Sequence, residues 1–244
     1  MIELLFNFTS PQYFSQDWLL VYLMWLYKNN KELFTIDSKD KSQENKIKFQ
    51  DDKIIKFLEE FDRELAKVRL SDTKIIDYIN NKVSDKNVSI NVNKNLENIL
   101  NKGTSTPHYW FYKLDYLLWR DYNWKQNFCC KFDNLDYSKI KEKFRLTRLN
   151  SIEHIFPHSK KDEFKNCDID CFGNLALVSN HLNSSLIDEN FEIKRTIIEK
   201  QIKKGTIESL KMLLVYSKYK EWNCKNCENH QEEMIDILKK DIKF

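Results

Sequence analysis

Turn-forming residues are scarce: the 244 residues include three glycines and three prolines. Sheet-rich folds need tight turns between strands, so this scarcity argues against an all-β architecture and for a mainly α one. Long apolar runs are missing too. The best candidate, DWLLVYLMWLYK from Asp17 to Lys28, is short and flanked by charges. It reads as a buried helix and excludes a membrane span. MIELLFNFTS has no basic leader and no small-residue cleavage site, so no signal peptide is expected. Six cysteines without such a signal imply a reducing, cytoplasmic setting. Charge of one sign is not in large excess. A net charge of +3 cannot by itself hold nucleic acid, so a phosphate partner needs a local patch. The few glycines never form GxxxxGK[ST], which removes a Walker-type nucleotide site. There is no internal repeat.

What is present is helical periodicity interrupted once. Residues 12 to 29 carry Phe14, Trp18, Tyr22 and Trp25 at helical spacing, with Ser15 or Asp17 as the cap. DSKDKSQENK (37 to 46) reads as a polar loop. Ile54, Phe57, Leu58, Phe61 and Leu65 mark a helix over 51 to 69, and Ile75, Ile76 and Ile79 another over 71 to 82. A short helix is expected at 93 to 101. NKGTSTPH, with Gly103 and Pro107, is the strongest boundary signal. It divides the chain into a helical region, 1–103, and a second domain, 104–244. YWFYKLDYLLWRDYNW (109 to 124) is aromatic all round, which fits a core helix better than base stacking. A short helix or turn is expected at 136 to 146. The adjacent Cys129 and Cys130 are expected to pack near Trp124 and Phe128. Further helices are expected over NFEIKRTIIEKQIKK, over IESLKMLLVYSKYKEW and over about 230 to 241.

The exception lies between residues 150 and 200. SIEHIF alternates like a strand, and FGNLALVS alternates after a Gly-Asn turn. NHLNSSLIDENFEIKR then becomes polar and helical. The order is strand, loop, strand, helix. Neighbouring strand residues point to opposite faces, so Glu153 and His154 need not compete for one position. A carboxylate and a histidine suit metal-assisted hydrolysis, because a neutral imidazole accepts a proton near pH 7. Pro157 stiffens the loop that leaves the strand.

This segment resembles the HNH, or His-Me finger, nucleases with their ββα-metal fold. The resemblance rests on Glu153-His154-Ile155-Phe156-Pro157, on Gly173-Asn174-Leu175, and on Asn183 nine residues after Asn174. Its nearest likeness is the C-terminal HNH domain of GmrSD-type restriction enzymes, where a phenylalanine and lysine recur in the following helix, here Phe191 and Lys194. The likeness covers roughly 107 to 200. It implies a ββα-metal finger embedded in helices, His154 as general base and Asn174 as a tether of the catalytic loop or the histidine ring. Glu153 and Asn183 become ligands of Mg²⁺ or Mn²⁺, a hard oxygen set. Lys194 and Arg195 are expected on the substrate phosphate. Two positions depart from the pattern. Glu153 stands where many relatives have Asp, and His158 stands where many have glutamine. His158 either touches substrate or is a plain loop residue. His181 is either an additional metal ligand or a surface residue at a helix start.

The resemblance also bears on the cysteines. Some HNH domains hold a structural Zn²⁺ on two cysteine pairs, and Cys167, Cys171, Cys224 and Cys227 are the pairs available here. Their spacing is irregular, so ordinary reduced thiols are the preferred reading. The expected activity is metal-dependent endonucleolytic cleavage of DNA in defence against phage or other foreign DNA. A protein partner, such as an NTPase or sensor subunit, would supply regulation, and the first hundred residues could dock it. The alternatives are an assembly or nucleic-acid-binding protein with an inactive finger, and an RNase.

Overall fold

The computed structural model describes residues 1–9, 17–36, 47–124, 132, 136, 139–186 and 188–243. Phe14, the Ser15 cap, the polar loop at 37 to 46 and the Cys129–Cys130 pair lie outside the described residues. The chain is mainly α, as its composition implies, and it divides into two compact units. One is built from Ser10–Lys94. The other combines Glu3–Thr9 with Asn95–Phe244.

In the first unit, α2 (Asp17–Leu33) is followed by the short antiparallel strands β1 (Phe34–Ile36) and β2 (Ile47–Phe49), then by α3 (Asp51–Arg69) and α4 (Ile75–Val83). The α3 periodicity is realised: Ile54, Leu58, Phe61, Leu65 and Val68 are all buried. The aromatic side chains of α2 meet α3, with Trp25 stacked on Phe57 at 4.4 Å and Tyr22 on the same ring at 6.4 Å. The two strands were not expected in a helical region. Three residues apiece are too few to show a period-2 pattern.

The second unit is organised around α6 (His108–Asp121), in which every residue from Tyr109 to Leu118 is buried. Even its two charged residues are matched inside. Lys113 meets Asp241 at 2.7 Å, and Asp115 accepts the Lys211 backbone N–H at 2.9 Å. Before it stand α1 (Ile2–Thr9), whose Phe8 stacks on Tyr112 at 5.7 Å, and α5 (Leu96–Leu100), capped by Asn95. After it comes the short α7 (Ile140–Lys143). The Tyr112 hydroxyl accepts the Leu149 N–H at 2.6 Å, fixing the chain just ahead of β3 (Ser151–His154).

β3 pairs antiparallel with β4 (Leu175–Val178), Glu153 opposite Ala176 and His154 opposite Leu175. The helix α8 (Asn180–Leu186) follows at once. Its start is set by Ser179, whose hydroxyl accepts the Leu182 N–H and donates to Glu208. The helix expected over NFEIKRTIIEKQIKK is α9 (Phe191–Lys203), separate from α8 because Asn190 caps a fresh start by accepting the Ile193 N–H. Then come α10 (Leu210–Lys218) and α11 (Cys224–Ile242). The last helix begins six residues earlier than its apolar pattern indicates. Asn223 caps it, so CxxC forms its first turn.

Candidate active site

One cavity of about 270 Å³ brings together Ile152, Glu153, His154, Pro157, His158, Asn183, Ser184 and Asp188. β3 contributes Glu153 and His154 at its C-terminal end, α8 contributes Asn183, and the segment after α8 contributes Asp188. Two segments some thirty residues apart in sequence thus line one space because β4 leads directly into α8.

Glu153 is buried, and its carboxylate meets the Lys194 ammonium at 2.5 Å. Burial pushes the Glu153 carboxyl up from its ordinary value; Lys194 opposes the rise and Asp188 adds to it. Burial likewise lowers the Lys194 ammonium, against the pull of Glu153. Lys194 is 0% exposed and also donates to the His154 carbonyl at 2.7 Å. Its ammonium therefore points into the protein and away from any phosphate at the surface. Arg195, the next residue, lies over the Phe132 ring at 5.7 Å.

His154 is held differently. Its Nε2 is 2.8 Å from Asp170 Oδ1, and its ring meets His158 edge-on at 5.2 Å. Burial lowers the imidazole below its ordinary value, although Asp170 pulls the other way. The ring is therefore neutral at neutral pH and able to accept a proton. His158 is exposed on the cavity wall. His181 is exposed and is not among the cavity residues.

Asn174 is fully buried and does not touch the imidazole ring. Its amide oxygen accepts the Phe156 N–H at 2.7 Å and the Trp222 indole N–H at 3.0 Å. Its amide nitrogen donates to the carbonyls of Phe156 and Ile169, at 3.2 and 2.9 Å. One side chain thus ties the loop after β3 to the loop before β4. Gly173 beside it allows close approach to α11, since a Cβ there would lie 2.5 Å from the Cys227 carbonyl.

The four cysteines meet in pairs. Cys171 and Cys227 have their sulfurs 3.3 Å apart, and Cys167, Cys224 and Glu228 place a donor atom each within 4.8 Å of one another. All four are free thiols. Burial and the neighbouring Cys224 hold the Cys167 thiol above its ordinary value.

This arrangement was compared with known proteins. The family model of GmrSD restriction endonucleases, C-terminal domain, matches residues 92–237, more than half of the chain. The chain belongs to this family. Searches of curated proteins and of solved structures return no significant match. The GmrSD family is one of restriction endonucleases, so its chemistry is of the nuclease class. The matched span contains every residue of the cavity and all four of these cysteines.

Two members of the site escaped sequence reading. Asp188 carries no motif and lies in the break between α8 and α9. Asp170 sits sixteen residues from its histidine, in a loop whose path the sequence does not reveal. The weak signal was a run of acidic residues, Asp168 and Asp170, between two cysteines.

Proposed function

We propose that the protein is an HNH endonuclease that hydrolyses DNA phosphodiester bonds with the help of Mg²⁺ or Mn²⁺. The observation that carries this reading is the single cavity lined by Glu153, His154 and Asn183 on a strand–strand–helix frame. The donor set fits a hard divalent cation. Glu153 and Asn183 offer oxygens, and Asp188 on the same wall adds a carboxylate. When bound, the ion would absorb the charge that builds on the leaving oxygen.

The protein's own residues do the rest. Neutral His154 takes the proton of the attacking water as its oxygen adds to phosphorus. One P–O bond breaks, and the leaving oxygen is protonated from solvent. Asn174 keeps the loop after His154 in place. Exposed His158, with Lys160 and Lys161 in the next turn, is placed to meet phosphate oxygens. Lys194 supports the site from inside by neutralising Glu153.

The nuclease body is the unit built on Glu3–Thr9 and Asn95–Phe244, a wider span than 104–244. The unit Ser10–Lys94 docks a partner chain that regulates cleavage, and the biological role is defence against phage or other foreign DNA. Cys167, Cys171, Cys224 and Cys227 bind one structural Zn²⁺. This departs from the preference drawn from spacing alone; its support is the 3.3 Å contact of the Cys171 and Cys227 sulfurs beside the group of Cys167, Cys224 and Glu228.

The test is plasmid cleavage by the full chain in Mg²⁺, in Mn²⁺ and in EDTA, with a labelled RNA in parallel. Wild type should nick DNA only with metal. His154→Ala should bind DNA in a gel shift and lose on the order of 10²–10⁴-fold in rate. Near wild-type cleavage by His154→Ala would overturn the HNH assignment. Cleavage of RNA alone would move the substrate class.

A further inference from the structure

The structure assigns to Asp170 the role of a positioning residue: it holds His154 in the Nε2–H tautomer, and Gly103 is the seat that makes this possible. The inference rests on the reading of His154 as general base and extends it.

A carboxylate accepts hydrogen bonds and does not donate them. At 2.8 Å from Asp170 Oδ1, the Nε2 of a neutral His154 therefore carries the proton. The lone pair is left on Nδ1, and among the described residues none bonds Nδ1. A ring with its proton on Nδ1 would have its one lone pair on Nε2, against the carboxylate, and no nitrogen left to accept from water. The acceptor nitrogen is thus set by the partner of the other one.

Asp170 is fixed from three sides. Its N–H donates to Asp168 Oδ1 at 3.0 Å, and its carbonyl accepts the Gly103 N–H at 3.2 Å. Its carboxyl lies directly against Gly103. A Cβ built there would stand 2.5 Å from Asp170 Oδ1 and 2.7 Å from its Cγ. Gly103 also has φ +54°, in the left-handed region. No other residue type leaves the carboxylate where it is. The remaining freedom, the distance between the His154 strand and the Asp170 loop, is closed by Asn174, which bonds Phe156 on one side and Ile169 on the other. A residue called a domain-boundary glycine from sequence thereby becomes part of the site's support.

The test is made on the full chain with ¹⁵N-labelled histidine. A long-range ¹H–¹⁵N correlation spectrum reads the tautomer of each imidazole, and His154→Ala assigns the signal. Wild-type His154 should show a protonated Nε2 and a bare Nδ1. Asp170→Asn presents an amide that can donate to Nε2, so the signal should shift toward Nδ1–H. Its kcat for plasmid nicking should fall on the order of 10²-fold or more, with KM for DNA little changed. Gly103→Ala, which leaves the chemistry of Asp170 intact and only displaces it, should move both readouts the same way by less. Asp170→Asn with an unchanged tautomer would overturn the assignment, whether or not kcat falls. So would a moved tautomer with unchanged kcat in an enzyme whose His154→Ala variant is inactive. The spectrum needs no cleavage. If the protein cut nothing, the nuclease reading would fail, and the Asp170–His154 assignment would still stand or fall on the tautomer.

Discussion

Replacing Lys194 with methionine keeps most of the side-chain volume and removes one buried cation. The consequence follows from what is left behind. Glu153 is 6% exposed and Lys194 is 0% exposed, so the carboxylate left behind can be solvated only on the side that faces the cavity. Breaking a buried ion pair by deleting one partner typically costs about 3–5 kcal/mol, because the other charge stays buried and unmatched. The His154 carbonyl also loses its donor, which adds about 1 kcal/mol or more. For a chain of this length each kcal/mol shifts Tm by about 2–4 °C. A fall of roughly 8–24 °C is therefore expected in EDTA. Glu153→Gln/Lys194→Met, with no charge on either side, should recover most of the fall.

The same variant distinguishes a structural ion pair from one that supports a metal site. A divalent cation in the cavity would stabilise Glu153 in place of the lost ammonium, without competition from it. Ligand at about 100 times its Kd stabilises a fold by about 2.7 kcal/mol. Titration of Mg²⁺ or Mn²⁺, followed by thermal unfolding, should raise the Tm of Lys194→Met more than that of wild type. Two results would refute the reasoning: a variant that melts with wild type in EDTA, or one whose metal-induced shift is no larger than wild type's. The first would mean that Glu153 is not dependent on Lys194. The second would mean that the carboxylate does not face the cation.

Asn183→Ala should weaken metal-supported cleavage at limiting Mg²⁺ while leaving Tm in EDTA unchanged; equal rates at limiting metal would take Asn183 off the ligand set. Burial pushes the Asp115 carboxyl up to about 7, against bonds from the Lys211 N–H and the Ser209 hydroxyl. The folded state then holds a proton that the unfolded chain releases near pH 4, so stability is greatest below that pH and is lost as pH rises toward 7. Asp115→Asn should abolish that decline, worth at most about 4 kcal/mol, in urea unfolding curves taken from pH 4 to pH 8. The purified protein should carry one equivalent of zinc by elemental analysis, and Cys227→Ser should lose it together with several degrees of Tm; zinc-free protein with an unchanged melt would return the cysteines to plain thiols.

The legible parts of this fold share one property: their signal is local. Helix α3 runs over the span that its apolar spacing marks, and the aromatic stretch before residue 124 is the central helix α6. Glu153, His154 and Asn183 stood out because a strand, a turn and a helix each left a short pattern. What could not be read depends on where distant segments return. Lys194 looked like a surface cation because a lysine in a polar helix normally is one. Only the meeting of α9 with β3 shows that it faces inward. The irregular cysteine spacing argued against a shared site. That the first turn of α11 meets the loop of Cys167 and Cys171 is visible only once α11 begins at Cys224.

The buried lysines show how the composition misleads about charge. A formal net charge of +3 counts Lys113, Lys194 and Lys211 as surface cations, yet all three are at most 1% exposed. Each is matched in its own way. Lys113 meets Asp241, Lys194 meets Glu153, and Lys211 donates to the carbonyls of Gly173 and Leu175. Lys211, lowered to about 8 by burial, has no carboxylate at bonding distance among the described residues and instead feels Cys227, Cys171 and Asp115. Two of the three therefore hold the paired strands, Lys194 at the end of β3 and Lys211 at the start of β4. A surface patch for phosphate cannot be built from these residues. On the exposed side of the same region, His158, Lys160 and Lys161 follow Pro157, and these are the residues proposed above to meet phosphate. The division is physical. The lysines inside fix where Glu153 and the β4 backbone lie, and the cations outside are the ones free to meet a substrate.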